Sequence, residues 1–316
     1  MNTTETNKTP TPAILPPSCK YEAMLREELA KNPRLMVMTA ENRAMLRNLP
    51  AFAGPRFVDT GITEQCLVGF ASGLALRGRT PVIHALAPFL TMRAFEFIRT
   101  DAGLGKLPVK CVGFVPGLLS DGNGATHQSL EDVSLMRGIP GMQVFSPADE
   151  DDLVAAMPGI IESPFPTYVR YNNRAPVVTH AAKLGVGEAE VLKEGTDVLL
   201  LVHGTLFKEA FEAATALEAQ GKSVGLVNVR WLKPFDAARI LPLVAKAKTT
   251  FTIEDHFRTG GLNSVLAEHL MDAGQTAKVH SISFEEKWFR PGTLPAVLEN
   301  EQLTGEHLAR RILGKI

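Results

Sequence analysis

The feature that most constrains how this chain of 316 residues folds is an alternation. Short apolar runs with the length and composition of strands alternate with segments of helical spacing along almost the whole sequence. Such alternation favours parallel sheets covered by helices. The first set of predicted strands is RLMVMTA, RFVDT, TPVIHA, VKCVGFV, MQVFSP and TYVRY, with helices beginning near Tyr21, Glu64, Thr91, Ser129 and Asp149. Residues Ala175 to Gly195 carry Pro and Gly and no strong period, which marks a boundary. Beyond it come DVLLLVHG, a helix from Thr205 to Gln220, KSVGLVNVR, a helix from Phe235, TTFTIED, a helix from Leu262 and AKVHSIS. The length also exceeds one typical core. The expected fold class is α/β, two consecutive α/β domains with mainly parallel sheets. The expected division is a flexible arm over 1–19, a first domain over 20–180, a linker over 181–195 and a second domain over 196–316.

Composition excludes several function classes. A formal net charge of −1 leaves no broad electrostatic footprint for nucleic acid or an anionic membrane. No apolar run approaches the roughly 18 residues of a membrane helix. Three cysteines, Cys19, Cys66 and Cys111, show no CxxC or tight pairing and fit a reducing compartment. The first twenty residues are polar and rich in Thr and Pro, lacking both a signal-peptide core and the arginine density of a transit peptide. The expectation is a cytoplasmic protein.

Four stretches stand out as sites. Glu64 opens a run, Cys66 to Leu76, that has no charge and reads as a helix apolar on nearly every side, hence buried. Thr63 is suited to cap that helix, and an acid in its first turn favours the dipole. A poorly solvated carboxyl group also exchanges protons with a buried ligand near neutral pH. Second, a Gly-rich loop with Asp121 and His127 leads into an amphipathic helix; glycines admit close backbone approach and a loop His suits proton traffic. The bland alternative is a turn at Asp121 and a helix start at His127. DGNG lacks the ligand spacing of a calcium loop. Third, Arg170 and Arg174 end a predicted strand, where open α/β sheets bind ligands and arginine suits phosphate; surface ion pairing is the alternative. Fourth, Glu254, Asp255 and His256 beside Gly-Gly look catalytic, but no nucleophile motif and no HExxH accompanies them. Packing between domains or subunits is the better expectation there.

Taken together, GITEQ, ATHQSLEDVSLMRGIPGMQVFSPAD and EDHFRTGGLNSVLAEHL, in that order, resemble the transketolase family of thiamine-diphosphate enzymes. The resemblance spans nearly everything after the arm and matches the pyrimidine-binding and C-terminal domains. Deoxyxylulose phosphate synthases and the β subunits of 2-oxo acid dehydrogenases share this layout. The resemblance implies that Glu64 hydrogen-bonds the aminopyrimidine ring of thiamine diphosphate and promotes formation of the ylide that attacks a ketose, with the cofactor as electron sink. It further implies that His127 faces substrate, that Arg170 grips a sugar phosphate and that Asp121 reads a substrate hydroxyl. The segment APFLTMRAFEFIR matches the region whose ring packs on the aminopyrimidine, giving Phe89 or, in the other register, Leu90. Arg93 resembles an active-site arginine of the deoxyxylulose phosphate synthases.

The departures are informative. The strand VKCVGFVPG lacks a second substrate-facing His, and DGNGATH replaces the shorter DGPTH. No GDG motif with a downstream Asn supplies a diphosphate and Mg2+ site. The resemblance therefore implies the C-terminal subunit of a split transketolase, a transferase of carbohydrate metabolism moving a two-carbon ketol unit between sugar phosphates. A separate subunit would hold the diphosphate and Mg2+, in an α2β2 heterotetramer. The alternatives are a 2-oxo acid dehydrogenase β subunit or a synthase-like enzyme, and a catalytically silent structural or regulatory partner. No GxGxxG follows the first strand of either domain, which argues against a plain dinucleotide-binding dehydrogenase.

Overall fold

A computed structural model describes residues 14–119, 121–181, 185–285 and 287–316, without the side chain of Asp121. Residues 1–13 of the expected arm lie outside the described residues. Of the rest, the Leu15 and Pro16 carbonyls accept hydrogen bonds from Arg26 and Asn48.

Strands in the first half are β1 (Leu35–Thr39), β2 (Phe57–Asp59), β3 (Thr80–Leu86), β4 (Lys110–Phe114), β5 (Gln143–Phe145) and β6 (Thr167–Arg170). The second half gives β7 (Glu190–Lys193), β8 (Val198–Val202), β9 (Val224–Asn228), β10 (Trp231–Lys233), β11 (Thr249–Phe257) and β12 (Val279–Phe284). They form a seven-stranded sheet in the order β10-β5-β6-β4-β3-β1-β2 and a five-stranded sheet in the order β12-β11-β8-β9-β7. All pairings are parallel except β10 with β5 and β7 with β9. Apolar runs such as LLLV in β8 are buried along their whole length, as parallel strands covered on both faces must be.

Two strands depart from the sequence reading, and both are short antiparallel edges. β7 lies inside the segment expected as linker, where four residues carry no legible alternation. β10 reads as a continuation of β9, yet it leaves the second sheet and adds to the first, with Trp231 packed on Phe145 at 4.8 Å between ring centroids. Between them, buried Arg230 pairs with Asp152 at 2.8 Å. The helix expected near Thr91 is instead a wide π turn over Phe89–Arg93, then a second one over Ile98–Gly103. The helix expected near Ser129 starts at Asp132. Two C-terminal helices were not anticipated; Gly305–Leu313 buries Leu308, Ala309 and Ile312 in the second core. Among the described residues no helix is long and apolar enough to cross a membrane.

Candidate active site

The carboxyl ends of β1, β2 and β3 converge on a cavity of about 590 Å³ lined by Glu41, Arg43, Arg47, Ile62, Glu64 and Phe89, among others. This is the end of an open parallel sheet at which ligands bind. Asp59, at the end of β2, organises its rim: its carboxylate accepts from the backbone N–H groups of Glu41 and Gly61, both at 3.0 Å, and from Arg43. Burial opposes the charge on Asp59, but those bonds outweigh it and hold the carboxyl below its usual range. Gly61 takes φ +70°, a conformation a side chain disfavours, and so turns the chain from β2 into the helix.

That helix is Glu64–Leu76. Thr63 does not cap it as expected; its hydroxyl donates to the Thr60 carbonyl at 2.9 Å and stabilises the turn before the helix. The helix buries Leu67, Val68, Ala71 and Ala75 in a core shared with Met38 and Ile83. It is not buried on nearly every side, as its composition suggested. Ile62 (69 % exposed), just before the helix, and Cys66 and Phe70 (50 %) in it lie four residues apart and point outward from the cavity end, and Leu76 (73 %) is exposed at the far end. The uncharged composition thus reflects two apolar faces, of which this chain fills one.

Glu64 is 2 % exposed and faces the cavity. Arg93 Nη1 donates to its two carboxylate oxygens at 3.0 and 3.1 Å. The same guanidinium lies 4.1 Å over the centroid of the Phe89 ring. His127 also meets that ring, edge-on, with centroids 5.0 Å apart. Its Nδ1 lies 2.9 Å from the Thr126 hydroxyl. Four of the expected residues, Glu64, Phe89, Arg93 and His127, are therefore brought together by the start of one helix, one π turn and one loop. Leu90 is not among them: it is fully buried in the core, so Phe89 is the residue of the pair that lines the cavity. Asp121 begins a short 3-10 turn, and its side chain lies outside the described residues.

The expectation for Arg170 is overturned. Its side chain is 1 % exposed, with Nε on Asp132 at 2.9 Å and Nη1 on Asp255 at 2.7 Å. Tyr168 also donates to Asp132, at 2.7 Å. A buried guanidinium requires such partners, and with both carboxylates engaged it is withdrawn from any substrate. Asp255 belongs to β11, so the pair joins the two sheets; the fourth stretch singled out above is packing between domains. Arg174 is likewise engaged, with Glu209 at 2.6 Å. Sequence reasoning missed Arg43, Arg47 and Asp59, although their position at the ends of β1 and β2 is the signal that finds them.

A buried carboxylate and an aromatic ring lining one cavity form the pair, a hydrogen-bonding group and a stacking face, that a polar, flat heteroaromatic ring needs. It suits an aminopyrimidine. Among the described residues no group of three His, Cys, Asp or Glu is arranged to hold a metal ion.

Residues 19–176 match the model of the transketolase pyrimidine binding domain, and residues 187–308 that of the transketolase C-terminal domain. The chain belongs to the transketolase family. It is 35 % identical over 254 residues to the 6-deoxy-6-sulfo-D-fructose transketolase subunit SqwH of Clostridium sp. (strain MSTE9), covering 79 % of each chain. It is also 35 % identical over 263 residues to 1-deoxy-D-xylulose-5-phosphate synthase of Dictyoglomus thermophilum, where it spans 42 % of the relative's length. Among solved structures, one described as a split gene transketolase, inactive beta4 tetramer, superposes with TM-score 0.84 at 32 % identity, covering 93 % of this chain and 96 % of that one. The chain thus corresponds to the C-terminal half of a transketolase, as the sequence motifs implied.

Proposed function

We propose that this chain is the pyrimidine-pocket subunit of a split transketolase, which transfers a two-carbon ketol unit between sugar phosphates together with a separate subunit. The observation that carries the reading is Glu64, buried at a helix start and facing the same cavity as Phe89. Thiamine diphosphate, when bound, supplies a carbanion-stabilising electron sink. This chain's residues do the rest of the local chemistry. Glu64 exchanges a proton with the cofactor's ring nitrogen, in surroundings dry enough to strengthen the coupling. Phe89 offers a ring face for stacking. His127, beside Phe89, is the group placed for the substrate's hydroxyl or carbonyl oxygen.

Exposed Ile62, which lines the cavity, and exposed Phe70 on the helix that follows it support a partner subunit, because exposed apolar side chains beside a ligand cavity suit an interaction face. That partner would hold the diphosphate and Mg2+, in an α2β2 assembly. The relatives whose names specify a transketolase subunit and a split gene transketolase support a divided enzyme. The test is a ketol-transfer assay on the complex co-purified from the native host, supplied with a panel of ketose and aldose phosphates. Turnover that requires both subunits is expected. A complex that binds the cofactor yet transfers no ketol unit from any ketose phosphate would sink the reading.

A further inference from the structure

Arg93 engages both groups that the cavity offers a heteroaromatic ring. Its Nη1 takes both oxygens of Glu64, and its guanidinium plane covers a face of Phe89. A carboxylate oxygen that accepts from Arg93 has less capacity left for a ring nitrogen, and a covered ring face cannot stack. We propose that Arg93 is an internal competitor for the cofactor's aminopyrimidine ring, displaced from Glu64 and Phe89 when that ring binds. The proposal rests on the reading of the cavity as a thiamine diphosphate site.

Three features make the exchange feasible. In this chain by itself the Arg93 side chain is 41 % exposed while that of Glu64 is 3 % exposed, so the chain's own packing leaves the arginine room to move and holds the carboxylate in place. Arg93 ends the π turn Phe89–Arg93, and wide turns of this kind occur often at functional sites. Apart from Glu64 and Phe89, the Arg93 side chain holds no hydrogen bond or ion pair among the described residues that would anchor it. The pair also has a purpose before binding, since a buried carboxylate without a partner is costly. Arg93 supplies that partner at a site which must later be opened. Binding then carries a cost equal to breaking the pair, and the apparent affinity is reduced by the fraction of molecules already open.

The test is calorimetric titration of the co-purified complex with thiamine diphosphate and Mg2+, comparing wild type with Arg93→Met and Arg93→Lys. Arg93→Met removes the charge and keeps the apolar stem. It is expected to bind the cofactor about tenfold more tightly than wild type, with Arg93→Lys between the two. Equal or weaker binding by a folded Arg93→Met complex would overturn the proposal. If that variant fails to assemble, the structure of the loaded wild-type complex decides. Arg93 beyond hydrogen-bond reach of Glu64 supports displacement, and the pair intact refutes it. A wild-type complex that binds no thiamine diphosphate would overturn this inference and the proposed function together.

Discussion

Arg170, at the end of β6, and Asp255, in β11, meet at 2.7 Å in the interior and tie the two sheets to each other. Gly117 lies so close that a Cβ there would come within 2.6 Å of the Arg170 guanidinium, and it takes φ +54°. The junction has no slack.

Removing the guanidinium leaves two buried carboxylates unpaired. Arg170→Ala is therefore expected to cost about 3–5 kcal/mol of unfolding free energy, read from denaturant midpoints. A folded, equally stable variant with only a raised KM for phosphorylated substrates would return Arg170 to the phosphate site.

A second prediction concerns Glu64. In the reconstituted complex, Glu64→Gln leaves cofactor binding measurable and lowers turnover by at least about a hundredfold. Near-normal turnover would remove Glu64 from catalysis.

His127→Ala is expected to lower ketol transfer by about a hundredfold or more while the native mass of the assembly stays the same. Loss of the assembly would make His127 a structural residue of the interface.

His180 links the two halves through hydrogen bonds to Asp149 at 2.8 Å and Glu190 at 2.7 Å, with its side chain 4 % exposed. Burial opposes the charge on the imidazole, but the bonds to the two carboxylates outweigh it and hold the pKa up to about 10, against an ordinary 6.5. A raised folded pKa gives stability that is full below about pH 6.5 and lost as pH rises through about 10. Burial also brings Lys110 down to about 7, which acts in the opposite sense, and brings Glu254 up to about 8, which acts in the same sense. The difference between wild type and His180→Ala isolates the histidine. That difference is expected to shrink across this window by at most about 1.4 kcal/mol per pH unit. A difference independent of pH would show that His180 is not charged in the folded protein.

What was legible in the sequence follows the length over which a pattern repeats. Most strands from RLMVMTA to AKVHSIS were legible because they carry clustered or alternating apolar residues and most alternate with segments of helical period. β7 and β10 were not, since these short edge strands add antiparallel, outside the strand–helix alternation, and are defined by their partners rather than by their own pattern. Glu64 stood out because it is the one charge in an apolar stretch. Arg170 was misread for a related reason. A charge at a strand end faces either a ligand or another charge, and Asp132 and Asp255, which decide it, are brought there only by tertiary structure. The cavity rim at Arg43, Arg47 and Asp59 likewise joins the connection after β1 to the end of β2, and neither carries a motif.

The most direct test is calorimetric binding of thiamine diphosphate with Mg2+ to this chain alone and to its co-purified complex. No binding by the chain alone and tight binding by the complex is the predicted result. Tight binding by the isolated chain would contradict the shared site, and no binding by either would contradict the cofactor assignment itself.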